Sequence, residues 1–146
     1  MILIFRRRAP GFFSWLIRLW TRSEFSHCEV VFGGANMISA VEGIGVRSVL
    51  ALEPFSPKTW TTVHLPAAAG YEQKAYEWAI QELGCKYDWL GIVFCQVFKF
   101  GRQHQDKWFC SEFCTAVVQQ TGLLPGVKPY QQSPGKLYRL ITGVRK

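Results

Sequence analysis

The segment from Lys107 to Gly122, KWFCSEFCTAVVQQTG, places a cysteine at the predicted start of a helix. Cys110 follows a short aromatic run and precedes an apolar pattern with helical spacing. The dipole and the free N–H groups of a helix N-terminus stabilise a thiolate, which is the reactive form of cysteine. The alternative is a small buried hydrophobe. The position of Cys110 is one of the few that suit a nucleophile, but taken alone it favours the buried hydrophobe.

A nucleophilic cysteine needs a general base, and the chain contains three histidines. His27 lies in FSHCEVVF, a segment rich in β-formers, so its side chain would leave a rigid strand in a fixed direction. His64 ends a predicted strand, and His104 lies in a polar loop. We therefore predict that His27 is the base.

A third group should hold the imidazole in one tautomer. Side chains two residues apart on a strand point the same way, so Glu29 lies on the face of His27, roughly 6–7 Å along the strand. The position of Glu29 on this face does not depend on how the strands pair. We therefore rank Glu29 slightly first for the third role.

Two other candidates depend on how the predicted hairpin is paired. If Phe32 pairs with Met37, Glu42 lies opposite His27. A slip of one residue puts Ser39 on that face instead. The sequence leaves the register open, so Glu42 and Ser39 both remain candidates.

Composition indicates one globular domain, residues 1–146, since 49% of the residues are hydrophobic and 18% are charged. The net charge of +7 can attract nucleic acid, an anionic membrane or an acidic substrate. No repeated basic-aromatic stripe or recognised nucleic-acid motif accompanies it, so we expect no nucleic-acid partner. We interpret the charge as a general electrostatic bias and expect a monomer.

The cysteines indicate reduced thiols. Their number is odd and no two have C-x-x-C spacing, so neither a disulfide framework nor a zinc ribbon is indicated. We therefore expect no metal, no other cofactor and a cytoplasmic location. The five are Cys28, Cys85, Cys95, Cys110 and Cys114.

The N-terminal region carries an apolar segment that could bear on substrate binding. Residues 1–10 have the reverse order of a signal peptide, and residues 11–20, interrupted by Arg18, are too short to span a bilayer. The segment could lie on a membrane surface, but we favour a helix that lines the groove. Because it runs directly toward His27, we predict that Trp15 and Trp20 form one wall of the substrate cleft.

Periodicity and turn residues predict strands in the first half of the chain and helices in the second, which indicates an α+β fold with a small antiparallel sheet packed against helices. The predicted strands are Ile2–Phe5, Phe25–Phe32, Met37–Val41, Val46–Leu50 and Trp60–Leu65. The predicted helices are Phe12–Thr21, Gly70–Gly84, Trp89–Phe98 with Asp88 as its cap, and the helix from Cys110 to about Gly122. The tail from Gln131 to Ile141 should dock on the domain.

Five motifs in this order resemble a known superfamily: FSHCEVVF, ISAVEGIGVRSV, LGCKYDWLGI, WFCSEFCTAVV and SPGKLYRL. The chain resembles, over nearly its whole length, the circularly permuted branch of the papain-like, NlpC-type cysteine hydrolases. That branch includes bacterial and phage amidase-like proteins and the lecithin:retinol acyltransferase group. The resemblance implies a permuted papain-like fold in which the histidine strand precedes the cysteine helix, with Cys110 as nucleophile and His27 as base.

The resemblance also implies expectations about the cleft and the reaction. Tyr87 matches a recurring Tyr-Asp pair and should face the cleft. The stretch MISAVE departs from the family pattern, since it offers only Ser39 or Glu42 for the third role. The leading expectation is an amidase or peptidase, with a cell-wall peptide as one substrate and a phage gene as one source. The alternatives are a lipid acyl hydrolase or acyltransferase, and a binding protein without turnover.

Overall fold

Five strands from the first half of the chain form one antiparallel sheet in the computed structural model, which describes residues 1–8, 10–51, 55–88 and 107–144. The strands are β1 (Ile2–Arg7), β2 (Phe25–Phe32), β3 (Asn36–Val41), β4 (Gly45–Leu50) and β5 (Trp60–His64). Their order across the sheet is β4-β3-β2-β1-β5. The strand that carries His27 is therefore central and has a neighbour on each side.

The described part of the chain contains four α-helices and one short 3-10 turn, Pro129–Gln131. The helices are α1 (Phe12–Thr21), α2 (Ala69–Gln81), α3 (Cys110–Gln120) and α4 (Pro134–Thr142). The predicted α+β class is confirmed, and the predicted elements within the described residues are present with ends shifted by a few residues. The predicted helix Trp89–Phe98 lies outside the described residues.

The core lies between one face of the sheet and α3. Residues Cys110 to Val118 of α3 are all buried, and the helix contacts α2, β2 and β3. The sheet contributes alternate residues, as expected for one face of pleated strands: Leu3, Phe5, Cys28, Val30, Phe32, Ile38 and Ala40. This packing holds the start of α3 against the sheet.

The hairpin register differs from the one that would favour Glu42. Phe32 pairs with Asn36 and Val31 with Met37, so Phe32 does not pair with Met37. The connection is one residue shorter than predicted, because the Ala35 N–H donates to the Phe32 carbonyl at 3.1 Å and Asn36 already belongs to β3. Extending this register one step pairs Ser39 with Glu29, which places Ser39, rather than Glu42, on the face of the sheet that carries His27 and Glu29.

A two-stranded parallel sheet brings the two aromatic motifs together. It consists of β6 (Lys86–Tyr87) and β7 (Lys107–Trp108), with Tyr87 opposite Trp108. The Val46 N–H donates to the Cys85 carbonyl at 2.9 Å, which ties this ladder to β4. Gly45 has φ +95°, and a Cβ there would collide with that carbonyl, so the close approach requires glycine.

Candidate active site

Cys110 is the first residue of α3 and is fully buried. The residue before it, Phe109, is extended, and its N–H donates to the Glu112 carboxylate at 3.4 Å. Glu112 is thus the third helical residue reaching back over the helix start, as in a capping box. The first turn of α3 is fixed, and its remaining N–H groups and dipole favour negative charge at Cys110.

His27 lies where the pairing of β1 and β2 changes register. Arg6 pairs with His27 and Arg7 with Phe25, so Ser26 is an extra residue in β2. Such irregularities bend a strand and redirect side chains, and they are frequent beside active sites. His27 Nε2 lies 3.1 Å from Glu29 Oε1, and the imidazole interacts with the Cys110 thiol closely enough to raise the pKa of His27.

The three groups shift one another's protonation. Burial alone raises the pKa of Cys110, but hydrogen bonds from Cys28 and the charge and hydrogen bond of His27 lower it from 9.0 to about 5. Burial alone lowers the pKa of His27, but the Cys110 charge and hydrogen bond, with those of Glu29, raise it from 6.5 to about 10. Between these values the pair is a thiolate and an imidazolium.

Glu29 is the carboxylate in contact with the imidazole. It is buried, with 4% of its surface exposed, and its second cationic neighbour is Arg47, with Nη2 at 3.9 Å. Burial raises the pKa of Glu29, yet the hydrogen bond and charge of His27 and the charge of Arg47 lower it overall. Glu29 therefore stays ionised and favours the imidazolium.

Glu42 and Ser39 occupy different positions relative to His27 and Glu29. Glu42 is exposed and lines the cavity next to His27. Among the described residues, Glu29 is the carboxylate that hydrogen-bonds the imidazole. Ser39 is fully buried and pairs with Arg47 across β3 and β4, in line with Glu29.

Cys28 is part of the site, although the sequence did not single it out. Its backbone N–H and its thiol both hydrogen-bond Cys110, and both lower the pKa of the Cys110 thiol. β2 and β3 pair from Val30 to Phe32, so Cys28 lies before the paired segment, and it shares the core with Cys110. From the sequence alone, the position of a cysteine next to a strand histidine is only a weak indication that it belongs to the site.

A cavity of about 290 Å³ opens beside His27. Its lining is mostly polar or charged, with α1 as one wall: Arg6, Pro10, Gly11, Phe12, Ser14, Ile17, Ser26, His27, Glu29, Val41, Glu42, Arg47 and Tyr87. Tyr87 lies there as predicted from its motif, with its ring 6.0 Å from that of Phe109. Burial, then the Cys110 charge, raises the pKa of Tyr87, so its hydroxyl keeps its proton.

Trp15 and Trp20 do not line this cavity, contrary to the prediction. The helix is a wall of the cavity, but it contributes Phe12, Ser14 and Ile17. The two tryptophans are 50% and 47% exposed. They lie on the outward part of α1, because Ser14 and Ile17 are the residues turned toward the domain.

Two hydroxyls in the cavity lining lack a partner within the described part of the chain. Ser14 Oγ and Ser26 Oγ are both buried, and neither has a hydrogen bond there. Buried polar groups are normally paired, so these two are suited to a polar group of a bound molecule. Sequence reasoning missed both, since a serine carries no signal of its own.

Comparison with known proteins gives no family, because no family model and no curated protein matches the chain. Within residues 1–8, 10–51, 55–88 and 107–144, no three His, Cys, Asp or Glu side chains group as metal ligands. No helix in that same part of the chain is long and apolar enough to cross a membrane. What supports a function is the geometry around Cys110.

Proposed function

We propose that the protein is a cysteine hydrolase that cleaves an amide through a Cys110 thiolate and a His27 imidazolium, on a permuted papain-like fold. One observation carries the proposal. The His27 imidazole lies 3.1 Å from the Glu29 carboxylate, and His27 and Cys110, the first residue of α3, shift each other's pKa toward the charged pair. The candidate nucleophile, base and orienting acid thus interact, as nucleophilic catalysis requires.

The first half-reaction forms a thioester. Cys110 Sγ attacks the carbonyl carbon of the substrate, and the carbonyl π electrons move to oxygen. The N–H groups at the start of α3, helped by the helix dipole, stabilise that oxyanion. The C–N bond then breaks, and the His27 imidazolium gives its proton to the departing amine.

The second half-reaction releases the acyl group. Neutral His27 takes a proton from water, whose oxygen attacks the thioester carbon, and Cys110 leaves as a thiolate. If an amine or an alcohol enters in place of water, the same site performs acyl transfer. Glu29 stabilises the imidazolium in both halves and keeps its ring in one orientation.

A short peptide, such as a cell-wall peptide, is the substrate class that the cavity favours. Its lining combines Arg6, Arg47 and Glu42 with the two unpaired hydroxyls of Ser14 and Ser26. Peptides carry amide groups and terminal charges that such side chains can bind. We assign Tyr87, which shares this lining, to substrate binding.

Acyl-lipid hydrolysis or transfer is the second candidate, and the exposure of α1 favours it. Phe12 lines the cavity and is 67% exposed, so apolar surface continues from the cavity to the outside. An acyl chain could follow this path while its carbonyl carbon meets Cys110.

The experiment is capture of the thioester. The protein would be mixed with peptide anilides or p-nitrophenyl acyl esters, quenched in acid, and analysed by intact-mass and peptide mass spectrometry. We expect an acyl adduct on Cys110 that decays on return to neutral pH, and none with Cys110→Ala. Cys85→Ala is the matched control, since Cys85 is the more exposed thiol.

The acyl donor that reacts separates the candidates. Preference for peptides supports the amidase, and preference for long-chain esters supports the acyl-lipid enzyme. Binding of either class without an adduct and without product would leave a binding protein and overturn the proposal.

A further inference from the structure

Helix α1 presents its apolar side to the outside. Phe12, Trp15, Leu19 and Trp20 are 67%, 50%, 60% and 47% exposed. Helical spacing places these four along one stripe. The opposite side carries Ser14, whose Oγ is buried, and Ile17, which packs against the core. A surface helix normally has the reverse orientation, with its apolar stripe facing the core.

Arginines surround this apolar stripe. Five of the 17 basic residues and none of the ten acidic residues lie within residues 1–23. Arg8 and Arg22 are exposed at the two ends of the α1 segment, and Arg18 lies within the helix. Glu24, the first acidic residue, contacts Arg7 at 3.3 Å and so offsets one of these charges. The segment remains strongly cationic.

We propose that the exposed face of α1 docks on the surface of an anionic phospholipid bilayer. Aromatic and leucine side chains on one face, flanked by arginines, are the composition of helices that lie in the membrane interface. Tryptophan rings suit that interface because they are apolar with one polar N–H. The arginines would meet the lipid phosphates, each strengthening binding about fivefold.

Charge argues against a second copy of the chain as the occupant. Docking two α1 faces on each other would bring two arginine-rich segments together, and like charges would repel. A bilayer supplies apolar and negative surface side by side. Since Phe12 belongs both to the exposed face and to the cavity lining, docking would place the cavity mouth near the lipid surface.

Vesicle sedimentation tests the proposal with the full chain. We expect binding to vesicles containing phosphatidylglycerol and little binding to pure phosphatidylcholine. Raising salt from about 0.1 M to about 1 M should weaken binding, since the Debye length falls from about 10 Å to about 3 Å. Trp15→Ser with Trp20→Ser should weaken it at least about tenfold, and Arg8→Gln with Arg22→Gln by a similar factor.

Matched controls carry equal changes on other surfaces. Ile44→Ser with Leu50→Ser removes two apolar side chains that are 65% and 63% exposed. Lys136→Gln with Arg139→Gln removes two charges from the groove beside α4. Neither pair should change vesicle affinity. An equal loss of vesicle affinity in the α1 variants and in the controls would overturn the proposal, as would the absence of binding to anionic vesicles.

Quenching by brominated lipids locates the contact without destabilising changes. The protein with Trp15→Phe and Trp20→Phe should still bind, but it should lose most of the quenching. Undiminished quenching would place the contact on another face and overturn the proposal, as would a dimer that forms through α1. Docking does not depend on the proposed reaction, since Cys110→Ala should bind vesicles like the unchanged protein.

Discussion

At the scale of single residues, the Cys110 thiol is both buried and acidic. Burial in apolar surroundings alone would make it inert. Hydrogen bonds from the Cys28 thiol and backbone, and the adjacent His27 charge, outweigh that effect. The lowered pKa of Cys110 is thus determined by its immediate neighbours.

The first prediction concerns the pH dependence of Cys110 alkylation. A lowered thiol pKa means that the thiolate is present above about pH 5, and His27 keeps its proton up to about pH 10. Iodoacetamide labelling, followed by peptide mass spectrometry, should therefore rise near pH 5 and stay level to about pH 10. In His27→Ala the rise should move toward the ordinary thiol pKa of 9.0, because the charge and a hydrogen bond are lost.

Cys85 is the internal control for this measurement. It is more exposed than Cys110, so accessibility alone would label it first. Faster labelling of Cys85 at about pH 6.5 would show that Cys110 is not activated.

The second prediction separates the two carboxylates near His27. Glu29→Gln removes the charge that contacts the imidazole, so kcat/KM should fall by at least about 100-fold. Glu42→Gln removes the same charge from the same cavity without touching the imidazole, and its kcat/KM should stay near that of the unchanged protein. Equal losses would mean that cavity charge, and not ring orientation, determines the rate.

At the scale of elements, the first turn of α3 contains a buried carboxyl that has no role in the proposed reaction. Glu112 is 5% exposed and accepts the Phe109 N–H. Burial, with the nearby Asp88 charge, raises its pKa from 4.5 to about 7, although the Phe109 hydrogen bond opposes the shift. The helix start next to Cys110 therefore changes charge near neutral pH.

The third prediction follows from that raised pKa. The folded protein binds the Glu112 proton more tightly than the unfolded chain does. Below about pH 4.5 Glu112 is protonated in both states and does not reduce the free energy of unfolding. As pH rises from there to about 7, Glu112 lowers the free energy of unfolding increasingly. Glu112→Gln keeps an acceptor for Phe109 but removes the charge. Its free energy of unfolding should exceed that of the unchanged protein by up to about 3 kcal/mol at pH 8, and match it near pH 4.5.

Urea unfolding at both pH values measures this difference. Comparing the two proteins at each pH removes the contribution of other titrating groups. A constant difference between pH 4.5 and pH 8 would show that Glu112 ionises normally.

At the scale of the whole molecule, the site depends on contact between the main sheet and the β6–β7 ladder. The sheet carries His27 and Glu29, and the ladder leads Tyr87 and Cys110 to them. The Cys85 carbonyl packs directly on Gly45, where the two parts meet. A change at this contact should affect stability and site geometry together.

The fourth prediction compares two glycines of the same turn region. Gly45→Ala adds a Cβ that collides with the Cys85 carbonyl, and it also strains a backbone with φ +95°. Gly43→Ala meets only the strain, since its φ is +76° and its surroundings are open. We expect Gly43→Ala to lower the free energy of unfolding by about 1–2 kcal/mol, and Gly45→Ala to lower it clearly more. Thermal unfolding measures both, and equal costs would show that the contact is dispensable.

The elements could be predicted from the sequence because their signals are local. The spacing of apolar residues predicted Phe12–Thr21 and Phe25–Phe32 with the bounds that the structure has. Cys110 could be placed at a helix start from the residues around it. Glu29 could be placed on the face of His27, because alternation along a strand is a property of the backbone.

The tertiary structure decided what depends on residues distant in sequence. The strand register excluded the pairing that favoured Glu42, and the packing of α3 on β2 brought Cys28 to Cys110. It also turned the apolar side of α1 outward, which removed Trp15 from the expected cleft wall. A helical pattern shows that a helix has an apolar side, but the surface that the domain offers determines which side packs against it.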